Sequence, residues 1–242
     1  MSTTSAAASP LPLAGRKALV IGAGTTAGRA IALALAAAGA DIACASPSLD
    51  GEEVMATRRT RRAVEALGRR AAEYAFDLAL GQNVRVSTRQ VAKELGGLDI
   101  LVMAAGVELR RPTEKISDAE WTRALSAGLS GVFYAVRSAL GEMTAGGRIL
   151  CVVSDLATRG SAEQAAISAA QHGVIGLLRT VAVEYAGRGV AANALAVAPE
   201  DAASEAGGNA LGSLALFLAS DAASAISGEL FTVRGSLHPP AT

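Results

Sequence analysis

Short apolar runs alternate with longer amphipathic stretches along almost the whole chain, and few architectures accommodate that order. The runs are Lys17–Ile21, Asp41–Ser46, Ala72–Phe76, Asp99–Met103, Arg148–Val153, Val190–Val197 and Leu230–Val233. Between them lie helical periods at Thr26–Ala38, Glu52–Leu67, Asn83–Leu95, Asp118–Met143, Ala162–Ala186 and Asn209–Ser220, several of them closed by glycine. Strands separated by helices of this length form βαβ units. Strands that are apolar nearly throughout must be covered on both faces, so the sheet is parallel. Right-handed crossovers then leave a doubly wound α/β sandwich. No repeat or composition shift divides it, so one domain is expected over residues 13–236, with a disordered tail at 1–12 and a loose end at 237–242.

Composition narrows the function classes. The chain has 242 residues, enough to bury a core without staples, and 22 basic residues balance 22 acidic ones. A neutral total argues against a nucleic-acid partner. Cys44 and Cys151 are the only two cysteines, both in apolar runs, with no Cys/His cluster around them. They read as core residues in a reducing compartment, and no metal site is expected. No run approaches the roughly 18 apolar residues of a membrane span. Nor does the start of the chain resemble a secretory leader. The expectation is a cytoplasmic protein with no membrane partner.

The first strand runs into Gly22-Ala23-Gly24-Thr25-Thr26-Ala27-Gly28 and then a helix. This fits G-x-G-x-x-G/A in the right setting, where backbone N–H groups at a helix N-terminus can meet a pyrophosphate. Any βα turn in such a sheet also favours glycine. The acidic residue that would hold a ribose hydroxyl is missing: the second strand closes on Ser46, then Pro47. Arg58, Arg59, Arg61 and Arg62 lie farther on and read as a solvated helix face.

Over nearly its whole length the sequence resembles the short-chain dehydrogenase/reductase family, classical type. The resemblance rests on the glycine turn, "AFDLAL" around Asp77, "LDILVMAAG" at Leu98–Gly106 and "EWTRALSAGLSGVFYAVRSAL" at Glu120–Leu140. It continues in "GRILCVVS" at Gly147–Ser154, "GVIGLLRTVAVEYAGRGVAANALAVAP" at Gly173–Pro199 and "LALFLASDAASAISGELFTVRG" at Leu214–Gly235. It implies a seven-stranded Rossmann-like parallel sheet, hydride transfer with NAD(H) or NADP(H), and two-fold-related oligomers. It also implies a cofactor site at Gly22, Gly24, Thr26, Ala27, Gly28, Ser46, Asp77, Ala105 and Gly106. Asp77 reads equally well as an adenine contact and as a cap on its own turn.

The chain departs from the family at the chemistry. The family's serine is present as Ser154, but Ile167 stands at the tyrosine position, Gln171 at the lysine position and Gly128 at the asparagine position. No shift of register repairs the set, because no lysine follows Lys115. Thr26 replaces the middle glycine of the family's turn, and only Asp201–Gly208 follows Pro199-Glu200 where a long substrate lid is usual. These losses give the expectation of a non-catalytic subunit. It would pair through helices 118–143 and 162–186 with an active short-chain dehydrogenase as a heterotetramer, or with itself. Leu125, Leu129, Val132, Phe133 and Val136 form an apolar stripe on the first helix. Ala169, Gly173, Gly176 and Leu177 form a small-residue face on the second. Two alternatives stand beside it: an atypical oxidoreductase and a nucleotide-binding sensor, each with reassigned site chemistry. A hydrolase-like site built from Ser154, Asp155 and His172 is disfavoured, because His172 is rotated about 100° from residue 171 on a helix.

Overall fold

Every strand of the sheet presents apolar side chains to both faces, and helices cover each. The structure is a computed structural model that describes residues 11–106 and 108–235. Its strands are β1 (Lys17–Ile21), β2 (Asp41–Ser46), β3 (Ala71–Ala75), β4 (Leu98–Met103), β5 (Met143–Ser154), β6 (Ala191–Val197) and β7 (Leu230–Val233). They pair in parallel in the order β3-β2-β1-β4-β5-β6-β7, one seven-stranded sheet. The order reverses between β1 and β4, which opens a crevice beyond their C-terminal ends.

The helices are α1 (Thr26–Ala37), α2 (Gly51–Ala66), α3 (Gly81–Leu95), α4 (Asp118–Leu125), α5 (Gly131–Glu142), α6 (Leu156–Arg159), α7 (Ala165–Glu184), α8 (Pro199–Ala203) and α9 (Glu205–Ala219). The pleat divides the sheet's side chains between two cores. Leu19 and Ile21 join Val84, Val136 and Leu178 from α3, α5 and α7. Ala18 and Val20 join Ile31, Val64 and Leu211 from α1, α2 and α9. Where α9 crosses α1 the backbones nearly touch: a Cβ on Gly212 would lie 3.1 Å from the Ala30 carbonyl oxygen.

Helix starts are capped by the residues the sequence provides. Thr25 accepts from the Gly28 N–H and Asp50 from the N–H groups of Glu52 and Glu53. Ser117 and Glu120 form a reciprocal capping box. At α7 the turn Ser161–Gln164 carries Glu163 at φ 64, a left-handed conformation, so the helix begins at Ala165 and not at residue 162. The single helix expected over 118–143 is two, α4 and α5, joined by one wide π turn at Ser126–Ser130. The apolar period passes through that turn almost unshifted, so pattern alone does not reveal it. Ser204 caps α9 and Pro199 opens α8, which moves the last helix's start upstream of the expected Asn209. The expected tails at 1–12 and 237–242 lie largely outside the described residues. Leu13 is buried, however, and Leu11 is exposed.

Two expectations change. The arginines of α2 are not all solvated: Arg58 grips Glu73 on edge strand β3 through Nε and Nη2, and Arg61 Nε lies 3.4 Å from the same carboxylate. Arg59 and Arg62 do face solvent. Second, α7 is long and apolar enough by composition to cross a bilayer, although its inward residues Ile167, Val174 and Leu178 are buried in this fold.

The Arg58 hydrogen bonds hold the Glu73 carboxyl below its ordinary pKa. A depressed carboxylate contributes stability above its unfolded pKa, about 4.3, and loses it as pH falls through the folded value. Glu73→Gln is therefore expected to lower the urea midpoint slightly at pH 7. The gap from wild type should close on acidification below the carboxylate range, as followed by circular dichroism.

Candidate active-site cleft

The crevice at the sheet's switch point is built from backbone first. After β1 the chain turns at Gly22, at φ 89, where a Cβ would sit 2.6 Å from the Ala104 carbonyl and 2.7 Å from the Ala105 nitrogen. Ala104 N–H in turn donates to the Ile21 carbonyl at 2.8 Å. The Thr25 hydroxyl donates to Gly22 O at 2.9 Å and approaches Ala104 O at 3.3 Å. The turn after β1 and the segment after β4 are thus pressed together. A Cβ at Gly28 would lie 2.1 Å from Gly22 O, so the third residue of α1 must be glycine.

Beyond this contact lies a cleft of about 460 Å³. Thr25, Thr26 and Ala27 line one side and Ala104, Ala105 and Gly106 the floor. Ser154, Ile167, Ser168 and Gln171 line the far wall, and Pro199, Ala202 and Ala203 the rim. The residues singled out from the glycine turn, from β4 and from the family's catalytic positions therefore meet around one space.

Other predicted site residues face elsewhere. Gly24 accommodates α2: its Cβ would lie 2.9 Å from Ala56 Cβ and 3.0 Å from Thr57 N. The Ser46 side chain is fully buried and donates to Ser48 O at 2.8 Å. Asp77 accepts from the Ala79 N–H at 3.0 Å, which caps its own turn. Gly128 sits in the π turn, where a Cβ would lie 3.2 Å from Ala170 Cβ. With Ile167, Gln171 and Cys151 it lines a small cavity of about 20 Å³ behind the cleft wall, roughly the room of one water. Burial pushes both the Cys151 and Cys44 thiols up to about 12, so neither serves as a nucleophile.

The polar geometry of the far wall is specific. Ser154 N–H donates to Gln171 Oε1 at 3.0 Å, and Ser154 Oγ accepts from the Leu156 N–H at 3.2 Å. The Ser154 hydroxyl proton and the Gln171 amide N–H groups have no hydrogen bond to a described residue and remain available as donors. Ile167 is buried, packed in a cluster with Ala124 and Ala166 beneath Leu109 and Ile116. Neither tyrosine nor lysine is among the described residues lining the cleft. His172 is exposed, with Nδ1 against Ser168 O at 3.2 Å, and Asp155 pairs with Arg159 at 2.9 Å. Neither lines the cleft, and this removes the hydrolase-like triad. Among the described residues no group of three or more His, Cys, Asp or Glu is placed to hold a metal.

A nicotinamide dinucleotide fits these surroundings. The first turn of α1 carries no acidic side chain to compete with a pyrophosphate, and its N-terminal residues face the cleft. Opposite, Gly106 is exposed and a Cβ there would meet nothing within 4 Å, so the floor is open.

Fold and cleft together define an α/β protein with the fold of NAD(P)-binding oxidoreductases. The profile of the short chain dehydrogenase family matches residues 16–208, and the chain belongs to that family. It is similar to the D-threitol dehydrogenase of Mycolicibacterium smegmatis, 34% identical over 248 residues that cover 92% of this chain and 93% of that protein. In structure it resembles a short chain dehydrogenase from Burkholderia cenocepacia J2315 in complex with NADP. The TM-score is 0.84 at 28% identity, covering 93% of this chain and 98% of that one. It also resembles the carveol dehydrogenase of Mycobacterium avium in complex with NAD, with a TM-score of 0.82 at 25% identity, covering 91% and 96%.

These comparisons overturn the expectation of a non-catalytic subunit supporting an active partner. The relatives are themselves dehydrogenases, two neighbours carry nicotinamide dinucleotides, and nothing among them is a supporting subunit. Ile167 and Gln171 line the cleft without closing it. The cleft is open and bordered by oriented donors.

Gly22→Ala places a methyl against backbone that cannot yield and forces alanine to positive φ. It is expected to cost about 1–3 kcal/mol in urea unfolding. An unchanged midpoint would show that the turn is free to relax.

Proposed function

We propose that this protein is an atypical NAD(P)-dependent short-chain oxidoreductase whose acid–base set is degenerate and whose site chemistry is reassigned to Ser154 and Gln171. The observation that carries the reading is the hydrogen bond that ties them, Ser154 N–H to Gln171 Oε1 at 3.0 Å. It directs one hydroxyl and one amide donor to the same wall of the cleft.

A bound nicotinamide dinucleotide would supply or accept the hydride. Ser154 and Gln171 hold the substrate oxygen between them and polarise the C–O bond. Neither exchanges a proton readily at neutral pH. Ile167 has none to give, and Gln171 lacks the charge that would lower a neighbouring hydroxyl's pKa. The proton therefore comes from water. The cleft admits it because α8 spans only five residues, and the segment over the rim is too short to exclude solvent. A missing general acid is worth about 10²–10⁴ in rate. The substrates suited to this site are those needing least help, such as carbonyls activated by a neighbouring electron-withdrawing group. Two free buried cysteines support a cytoplasmic setting.

Calorimetric titration is expected to show NADH or NADPH binding, with slow turnover of a 1,2-diketone. Ser154→Ala should lower kcat/KM about tenfold or more while leaving the dinucleotide Kd unchanged. The double variant I167Y/Q171K should raise kcat about 10²-fold, and I167Y alone should not, because a tyrosine needs the cation beside it. Failure of both dinucleotides to bind, or indifference of turnover to Ser154→Ala, would overturn the reading.

We also infer that the chain self-associates through the outer faces of α4, α5 and α7. Phe133 and Val183 support this, being 40% and 80% exposed on those faces. Light scattering after size exclusion should give a dimer or tetramer, and Val183→Glu should shift it towards monomer.

A further inference from the structure

The cleft mouth carries two adjacent arginines whose charges are used differently. Arg111 is paired: its backbone N–H donates to Glu163 O at 2.9 Å, and its side-chain Nε donates to Glu120 Oε1 at 3.2 Å. Glu120 is itself locked in the capping box that starts α4. The Arg111 and Ser117 contacts hold the Glu120 carboxyl below its ordinary pKa, so it stays charged to grip the loop. The segment around residue 110 is thereby pinned to the α7 approach on one side and to α4 on the other. Glu163, the residue that receives the Arg111 N–H, is the one non-glycine residue at positive φ among those described. The anchor is therefore built on a conformation that the chain does not adopt without tertiary support.

Arg110, next in the chain, lines the cleft and has no ion pair or hydrogen bond to any described residue. It is the only cationic side chain among the described residues of the lining. The lining that Arg110 shares with Ser154 and Gln171 also carries the apolar Leu109, Leu156 and Ile167, beside the polar Gln164 and Ser168. A ligand complementary to this arrangement has a carbonyl or carbinol at one end, a hydrocarbon middle and an anionic group at the other. An arginine fork pairs best with a planar carboxylate, through two parallel hydrogen bonds. Glu108 lies at the same mouth. It offsets the net charge there but cannot donate to an anion, so it tunes affinity without changing the sign of the contact.

We propose that the substrate of this cleft is a carboxylate-bearing carbonyl or carbinol compound, its carboxylate read by Arg110 and its oxygen by Ser154 and Gln171. The assignment rests on the oxidoreductase reading above and adds the substrate class to it.

The test uses the full chain saturated with whichever dinucleotide binds. Calorimetry then measures affinity for the series 4-oxopentanoate to 8-oxononanoate and for the corresponding methyl esters. At least one acid is expected to bind about 10- to 100-fold more tightly than its ester, the range for a hydrogen bond to a charged group. The preference should shrink as salt rises, because the arginine is exposed. Arg110→Gln should abolish the preference while leaving ester affinity unchanged, and Glu108→Gln should strengthen it. Kinetics should repeat the pattern in KM and not in kcat. Equal binding of acid and ester, or a preference that survives Arg110→Gln, overturns the carboxylate assignment and leaves the oxidoreductase reading intact. Failure of both dinucleotides to bind overturns that reading and takes the assignment with it.

Discussion

The contact of the turn after β1 with the end of β4 sets the position of everything in the cleft. Gly22 lies so close to Ala104 and Ala105 that a single carbon would collide with the backbone there. That contact fixes the start of α1, and the Thr25 hydroxyl bridges Gly22 and Ala104 across it. It falls where the strand order reverses, so the crevice it borders is the one place where helices leave the sheet in opposite directions. A glycine here is a packing requirement first.

The opposite wall carries the neutral side chains of Ser154, Ile167 and Gln171. Isoleucine fills a buried position with hydrocarbon and packs with Ala124 and Ala166, which gains apolar burial. Glutamine in place of a cation keeps a side-chain contact to the β5 end through Ser154 N–H. The result is a wall of neutral groups. Binding geometry and acid–base strength are separable contributions to a rate, and a site can keep the first after losing the second.

Much of the fold was legible in the residues. Seven apolar runs at βαβ spacing became the seven strands, with edges within a residue or two at six of them. The exception is β5, whose pairing begins at Met143, ahead of the Arg148 expected from the apolar run, because Gly146 and Gly147 interrupt the pattern without ending the ladder. The helix break at Ser126–Ser130 was not legible, since a π turn adds one residue and hardly disturbs an apolar stripe. In the cleft, Ser154, Ile167 and Gln171, singled out by motif, come together on one lining. Gly24 and Ser46 matched the same motif yet serve helix packing and a local turn, which no spacing rule distinguishes. The link from Arg58 to Glu73 was hidden because it joins a helix to an edge strand 15 residues on.

The sequence by itself determined the alternation of elements, the parallel sheet, the glycine turn and the identity of the groups available for chemistry. These depend on local periodicity and on side-chain type, both of which are written in the chain. Only the tertiary structure decided which groups are spent and which remain. Arg110 and Arg111 are neighbours of one chemistry, yet the Arg111 side chain pairs with Glu120 while Arg110 lines the cleft. Gln171 became an orienting group only when folding brought β5 within hydrogen-bond reach of α7. The physical reason is the same in each case. Whether a polar group is free depends on which partner folding carries to within about 3 Å of it, and that partner is set by packing between elements distant in sequence.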